Sequence, residues 1–164
     1  MFYKSLCLLL LLPAFAFSQN NWQEHKSFTG QFRILAPGAL TESIDSIETV
    51  MGKLANHTFV HQFADEGTAD NLIYLVSYVD YPEGSIHSDS TEILPSFFET
   101  TIEAATEAVQ GSLIYSSIDN YRDYPGRVWR IEYLEDRAVI RTKAYLINNR
   151  YYSVSTITLK ERAL

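Results

Sequence analysis

The sequence predicts an α+β domain, a predominantly antiparallel β-sheet with one main helix at about 92–109. Three observations carry this. Short runs of alternating apolar and polar residues recur between turn residues, the pattern of strands with one face buried. The period changes to a helical one only once, where Phe98, Ile102, Ala105 and Val109 fall at spacings of four, three and four. Strand runs lie on both sides of that single helix instead of alternating with helices, which favours an antiparallel sheet over βαβ units.

The elements follow in order. Trp22 to Phe28 and Phe32 to Leu35 read as short strands joined at Thr29-Gly30, and a polar strand at about 42–49 comes next. Leu54 to Phe63 alternates, with Phe59 and Phe63 on the face that carries His57 and His61. Asn71 to Val79 is apolar on both faces, as in a central strand covered on both sides, and Tyr81-Pro82-Glu83-Gly84 ends it. Asp89 or Ser90 is placed to cap the helix, and Glu92 suits its first turn. Pro95 restricts the residue before it, so the regular helix begins near that point, and Gly111 closes it. Glu99, Glu103 and Glu107 make an acidic stripe beside the apolar one.

Four strands complete the chain, at about 112–122, 127–134, 138–147 and 151–159, with hairpin turns at Glu135-Asp136 and Asn148-Asn149. Trp129, Ile131 and Tyr133 share one face while Arg130 and Glu132 take the other; Ile140, Ala144 and Leu146 oppose Arg141, Lys143 and Tyr145. Two Pro-Gly turns, Ala36-Pro37-Gly38 and Tyr124-Pro125-Gly126, call on proline for one preset dihedral and on glycine for a positive one.

Met1 to Ser18 reads as an export signal. Lys4 supplies the positive start, Leu6 to Phe17 is an apolar run broken only by Pro13, and Ala16-Phe17-Ser18 sets small residues three and one before a cut between Ser18 and Gln19. A membrane span needs about 20 apolar residues. This run is shorter and meets the polar Ser18-Gln19-Asn20-Asn21, so the expectation is a cleaved signal, no stable membrane anchor and a periplasmic or secreted protein. Cys7 lies early in the apolar run, not at its end, which argues against lipid attachment. It is the only cysteine, so the mature chain would hold neither a disulfide nor a thiolate site. Residues 19–164 are the length of a single domain.

The formal charge is −7, and it is unevenly spread. Residues 19–121 hold 3 basic and 15 acidic side chains, whereas residues 122–164 hold 9 basic and 5 acidic. The overall acidity argues against nucleic acid as a partner. The basic C-terminal part either neutralises the acidic part within the fold or presents a patch to an anionic ligand or partner. Arg130, Arg141, Lys143 and Tyr145 are the surface candidates, since adjacent antiparallel strands would bring them together as a basic ladder; Glu99, Glu103 and Glu107 would then be placed to pack over it as salt-bridge partners. Most of the 11 Tyr, 9 Phe and 2 Trp stand at core positions on strands, which reads them as packing residues.

No nucleophile elbow, phosphate loop or dinucleotide fingerprint is present, and no cofactor is expected. His57 and His61 are the tempting metal pair, but on a strand they sit about 13 Å apart. One zinc ion with bonds of about 2 Å does not bridge that distance. No metal or catalytic residues are therefore assigned.

The export signal, Phe32-Arg33-Ile34-Leu35-Ala36-Pro37-Gly38, the single helix, Tyr124-Pro125-Gly126-Arg127 and the hairpin ending in Arg150-Tyr151-Tyr152-Ser153-Val154 together resemble the small exported bacterial proteins related in fold to the PsbP extrinsic protein of photosystem II. The resemblance spans roughly 22–159. It implies an α/β/α sandwich around an antiparallel sheet, used as a non-catalytic accessory or binding domain. Relatives of this kind continue into a further helix over the sheet, whereas this sequence stops at Lys160-Glu161-Arg162-Ala163-Leu164. Either that helix is absent or the chain is incomplete; if the helix is missing, apolar sheet surface would be left for a partner or for a homodimer. The expected function is thus binding of a protein partner or small ligand. The alternatives are a periplasmic lipid or lipoprotein carrier and an enzyme whose site assembles in space.

Overall fold

The computed structural model describes residues 22–64 and 70–163, so the expected signal and its Ser18–Gln19 cut lie outside the described residues. The alternating runs become β1 (Gln23–Ser27), β2 (Phe32–Ala36), β3 (Thr41–Thr49), β4 (Gly52–Gln62) and β5 (Ile73–Asp80), then β6 (Ser112–Ile118), β7 (Gly126–Tyr133), β8 (Ala138–Ile147) and β9 (Arg150–Leu159). The helical stripe becomes α1 (Leu94–Ala108), between β5 and β6. β1 and β2 form a separate hairpin. The other seven strands make one antiparallel sheet in the order β3-β4-β5-β9-β8-β7-β6. Among the described residues the fold is α+β, with a mostly antiparallel sheet and one α-helix. Helix α1 carries the chain from β5 to the far edge, and the β6–β9 meander returns until β9 lies beside β5.

Each face of the sheet has its own cover. The register turns Trp129 and Ile131 of β7, Ala144 and Leu146 of β8 and Tyr151 of β9 to one side, where α1 lays down Leu94, Phe98 and Ile102. Burying a side chain of this size contributes about 1.5–3 kcal/mol. On the other side the β1–β2 hairpin packs Phe32 and Ile34 over Phe59, Val76, Tyr78 and Tyr152. Val76 to Val79 of β5 are consequently buried on both faces, as befits a central strand.

Local punctuation differs from the sequence reading. The helix starts at Leu94, and its N-cap, Ile93, makes no side-chain capping bond. The Ser90 carbonyl instead accepts the amides of Ile93 and Leu94, and Pro95 sits in the first turn, where no amide donor is needed. At the other end Gln110 takes the left-handed conformation (φ 51°) in place of Gly111. Its amide donates to Glu107, that of Gly111 to Thr106, which is a Schellman closure. Gly111 is required for space, because a Cβ there would lie 2.6 Å from Ile131 Cγ2 and 2.7 Å from the Glu132 carbonyl. Gly38 and Gly126 have no positive φ either. A Cβ on Gly38 would meet the His61 ring, and one on Gly126 would lie 2.5 Å from the Asp119 carbonyl and 2.6 Å from that of Ala144.

Phe98→Ala is expected to cost about 3–5 kcal/mol of stability in urea denaturation. Glu103→Ala, on the exposed face of α1, should stay within about 0.5 kcal/mol. Equal losses from the two would show that α1 does not pack by its apolar stripe.

Candidate functional site

The alternation that sends Trp129, Ile131, Ala144 and Leu146 to the helix sends Arg130, Glu132, Arg141, Lys143 and Tyr145 to the opposite face. Arg130 lies directly across from Arg141, Val128 across from Lys143, and Gly126 across from Tyr145. All four sequence-predicted residues therefore share one face of β7 and β8. The acidic stripe of α1 does not cover them, because the apolar stripe beside it holds the helix to the other side of the sheet. Glu99, Glu103 and Glu107 are thus not the partners of the ladder.

The carboxylates come from Glu132 and Asp119. Arg130 Nη2 donates to Glu132 Oε1 at 2.8 Å, and Lys160 Nζ lies 2.5 Å from Glu132 Oε2. Tyr145 Oη donates to Asp119 Oδ2 at 2.9 Å, and Lys143 Nζ lies 3.0 Å from the same oxygen. Asp119 was missed in the sequence, where the strand was expected to run on to 122. β6 instead ends at Ile118, the Asp119 amide donates to Gly126, and the Gly126 amide donates to Asn120 Oδ1. Gly126 stands between Asp119 and Tyr145, and a Cβ there would lie 2.4 Å from Tyr145 Cδ1. The turn glycine is what lets the ring lie over and reach the carboxylate. The cue in the sequence was an Asp a few residues ahead of a Pro-Gly turn.

These contacts set the charge states. Hydrogen bonds from Lys143 and then Tyr145 hold the Asp119 carboxyl below its ordinary range. The bond from Lys160, followed by that from Arg130, does the same for Glu132. Burial, and then the bond to Asp119, pushes the Tyr145 phenol up to about 12. Lys143 keeps 57% of its side chain exposed against 19% for Arg130, and Tyr115 of β6 and Val154 of β9 flank the ladder with exposed side chains. The arrangement presents positive donors of fixed position. Guanidinium groups of this kind suit the planar oxygens of carboxylates and phosphates.

The histidines take separate partners. His57 stacks on Tyr78 at 4.4 Å with its Nδ1 3.4 Å from Glu42 Oε1, whereas His61 Nδ1 lies 3.0 Å from the Ala39 carbonyl. His25 packs on Phe59, and His87 faces Asp89. Among the described residues no three His, Cys, Asp or Glu side chains group as metal ligands. A cavity of about 320 Å³, lined by Gln62, Phe63, Ala64, Leu72 and Ile73, opens at one end of β4 and β5. Under α1 the space is filled by Trp129, Phe98, Ile131 and Leu146. No family model matches the chain, and no match is found among curated proteins or solved structures.

Asp119→Asn should flatten the acid limb of the stability curve. The depressed carboxyl contributes stability that is complete above its unfolded value of about 4 and is lost as pH falls through its lower folded value. The variant lacks that slope, which urea midpoints measured from neutral to acid pH will show. Tyr145→Phe should cost about 1 kcal/mol at neutral pH.

Proposed function

We propose that the chain is an exported, non-catalytic accessory domain of the PsbP-like type, which binds a protein partner or small ligand through carboxylates or phosphates on the β7–β8 face. The observation that carries this reading is Arg130 directly opposite Arg141, with Lys143 next on the same face. Glu132 and Asp119 meet part of this charge from within the fold, and an anionic group of a partner adds to them on the exposed side, where Lys143 stands. The ladder rides on inner strands of the sheet, so its donors are held in place before a partner arrives. The ionisable groups also favour recognition over proton transfer. Asp119 and Glu132 are shifted down and Tyr145 is shifted up, all away from neutral pH, where a general acid or base works best. A helix on one face of an antiparallel sheet agrees with the outline that the PsbP-like resemblance implies. In this chain the β1–β2 hairpin takes part of the face that a second helix layer would occupy.

A photo-crosslinking residue at position 143 is expected to trap a discrete partner in the producing cell, and one at Lys53, on the β3–β4 hairpin, is not. Arg141→Glu should reduce the position-143 adduct several-fold. Equal adducts from both positions, or an adduct indifferent to Arg141→Glu, would remove the basic face from the reading. Export is tested separately. Deleting Met1 to Ser18 should strand the protein in the cytosol, and continued secretion would refute the signal.

A further inference from the structure

The two edges of the seven-stranded sheet are built differently. β3 carries Glu42, Asp45 and Glu48 along nine residues, the kind of charge that keeps an open edge from pairing. β6, Ser-Leu-Ile-Tyr-Ser-Ser-Ile, has no charged residue, and all seven of its residues are exposed. Ile118 is 70% exposed, and Leu113, Ile114 and Tyr115 are about half exposed. A register shift between Leu113 and Tyr115 interrupts only the first part of the strand; Tyr115 to Ile118 pair regularly with Arg130 to Arg127.

The hydrogen bonds say which groups this edge offers. The Asp119 amide donates to Gly126, directly opposite it. Amides in an antiparallel ladder alternate between inward and outward along a strand. Ser117 and Tyr115 therefore face β7, while Ser116 and Ile118 direct their N–H and C=O groups outward.

We propose that this edge pairs with the same edge of a second copy of the chain, antiparallel about a two-fold axis at Ser116. In that register Ser116 exchanges both backbone bonds with Ser116 of the second copy, Tyr115 lies opposite Ser117, and Ile118 of each copy comes beside Ile114 of the other. No two charges within β6 meet. Pairing β3 with β3 would bring two rows of carboxylates together, and β3 with β6 is a head-to-tail contact that leaves a free edge at each end of a pair, so that it builds a ring or a filament instead of a closed dimer. The β6–β6 dimer closes and leaves, of the edges of the seven-stranded sheet, only the acidic β3 edges outward. It rests on the strand edge and is independent of the basic face.

Sedimentation equilibrium over a concentration series should show a mass rising toward twice that of one chain. Ser116→Lys, which sets two lysines across the axis, and Ser116→Pro, which removes the outward amide, should each return it to the single-chain mass. Circular dichroism checks that both variants fold, and Ser116→Lys decides if the proline variant does not. In a Cys7→Ser background, Ser116→Cys should form an intermolecular disulfide, because Cα atoms of a bonded pair stand about 5.5 Å apart, within disulfide reach. Asp45→Cys on β3 is the control. A single-chain mass at every concentration, a dimer that survives Ser116→Lys, or cross-linking no faster than the control would overturn the proposal.

Discussion

The ladder between β5 and β9 is the join on which the rest of the sheet depends. It brings residues 73–80 against residues 150–157 and so fuses the β3-β4-β5 meander to the β6–β9 meander. Three ties hold it along its length. Arg150 grips both oxygens of Asp80, at 2.5 and 2.8 Å, at one end. Ser77 and Ser153 share a buried hydrogen bond of 2.7 Å in the middle, and the Thr158 hydroxyl donates to Asn71 at the other end. Arg150 also stacks on Tyr78 at 4.7 Å and donates to the Thr29 carbonyl, while Tyr152 donates to Gly30. The same arginine thus fastens the β1–β2 hairpin to the sheet. The charge asymmetry of the sequence finds one of its meeting points here, an aspartate of the acidic part with an arginine of the basic part.

Because β9 returns to β5 and β6 takes the far edge, β7 and β8 are inner strands with two working faces. Strict alternation gives one face of β7 and β8 to the helix and the other to the ladder. A change in register by one residue would exchange Trp129 for Arg130 and destroy both at once. Core and candidate site are therefore one constraint. Close-fitting glycines extend it. Gly111 brings the end of α1 down onto β7, and Gly126 clears the way for Tyr145 to reach Asp119.

Much of this was legible in the sequence. Periods of two and of 3.6 depend only on which residues are apolar, so strands, helix and the sharing of a face by Arg141, Lys143 and Tyr145 could be read directly. Glycine roles were harder. Pro37-Gly38 and Tyr124-Pro125-Gly126 suggested positive dihedrals, but Gly38 and Gly126 serve close approach, while the positive φ values fall to Gly52 and Gly84 and to non-glycine residues such as Gln31, Gln110, Arg122 and Asn148. Whether a glycine is chosen for its backbone angle or for the neighbour against it depends on which strand lies alongside, and a linear sequence does not state that.

The partners of the ladder show the same division. Glu99, Glu103 and Glu107 were plausible acids for it because charge complementarity is visible without geometry, but the side of the sheet on which α1 packs is a tertiary choice. It went to the face of Trp129 and Ile131, where the apolar area is buried, and the ladder was left to Asp119 and Glu132. By itself the sequence determined the element types, the two faces of each strand and the split between acidic and basic parts, because periodicity and composition are local properties of the chain. Only the tertiary structure decided the strand order, the cover on each face and the carboxylate that meets each cation, because these depend on long-range pairings, above all that of β9 with β5, which no local pattern encodes.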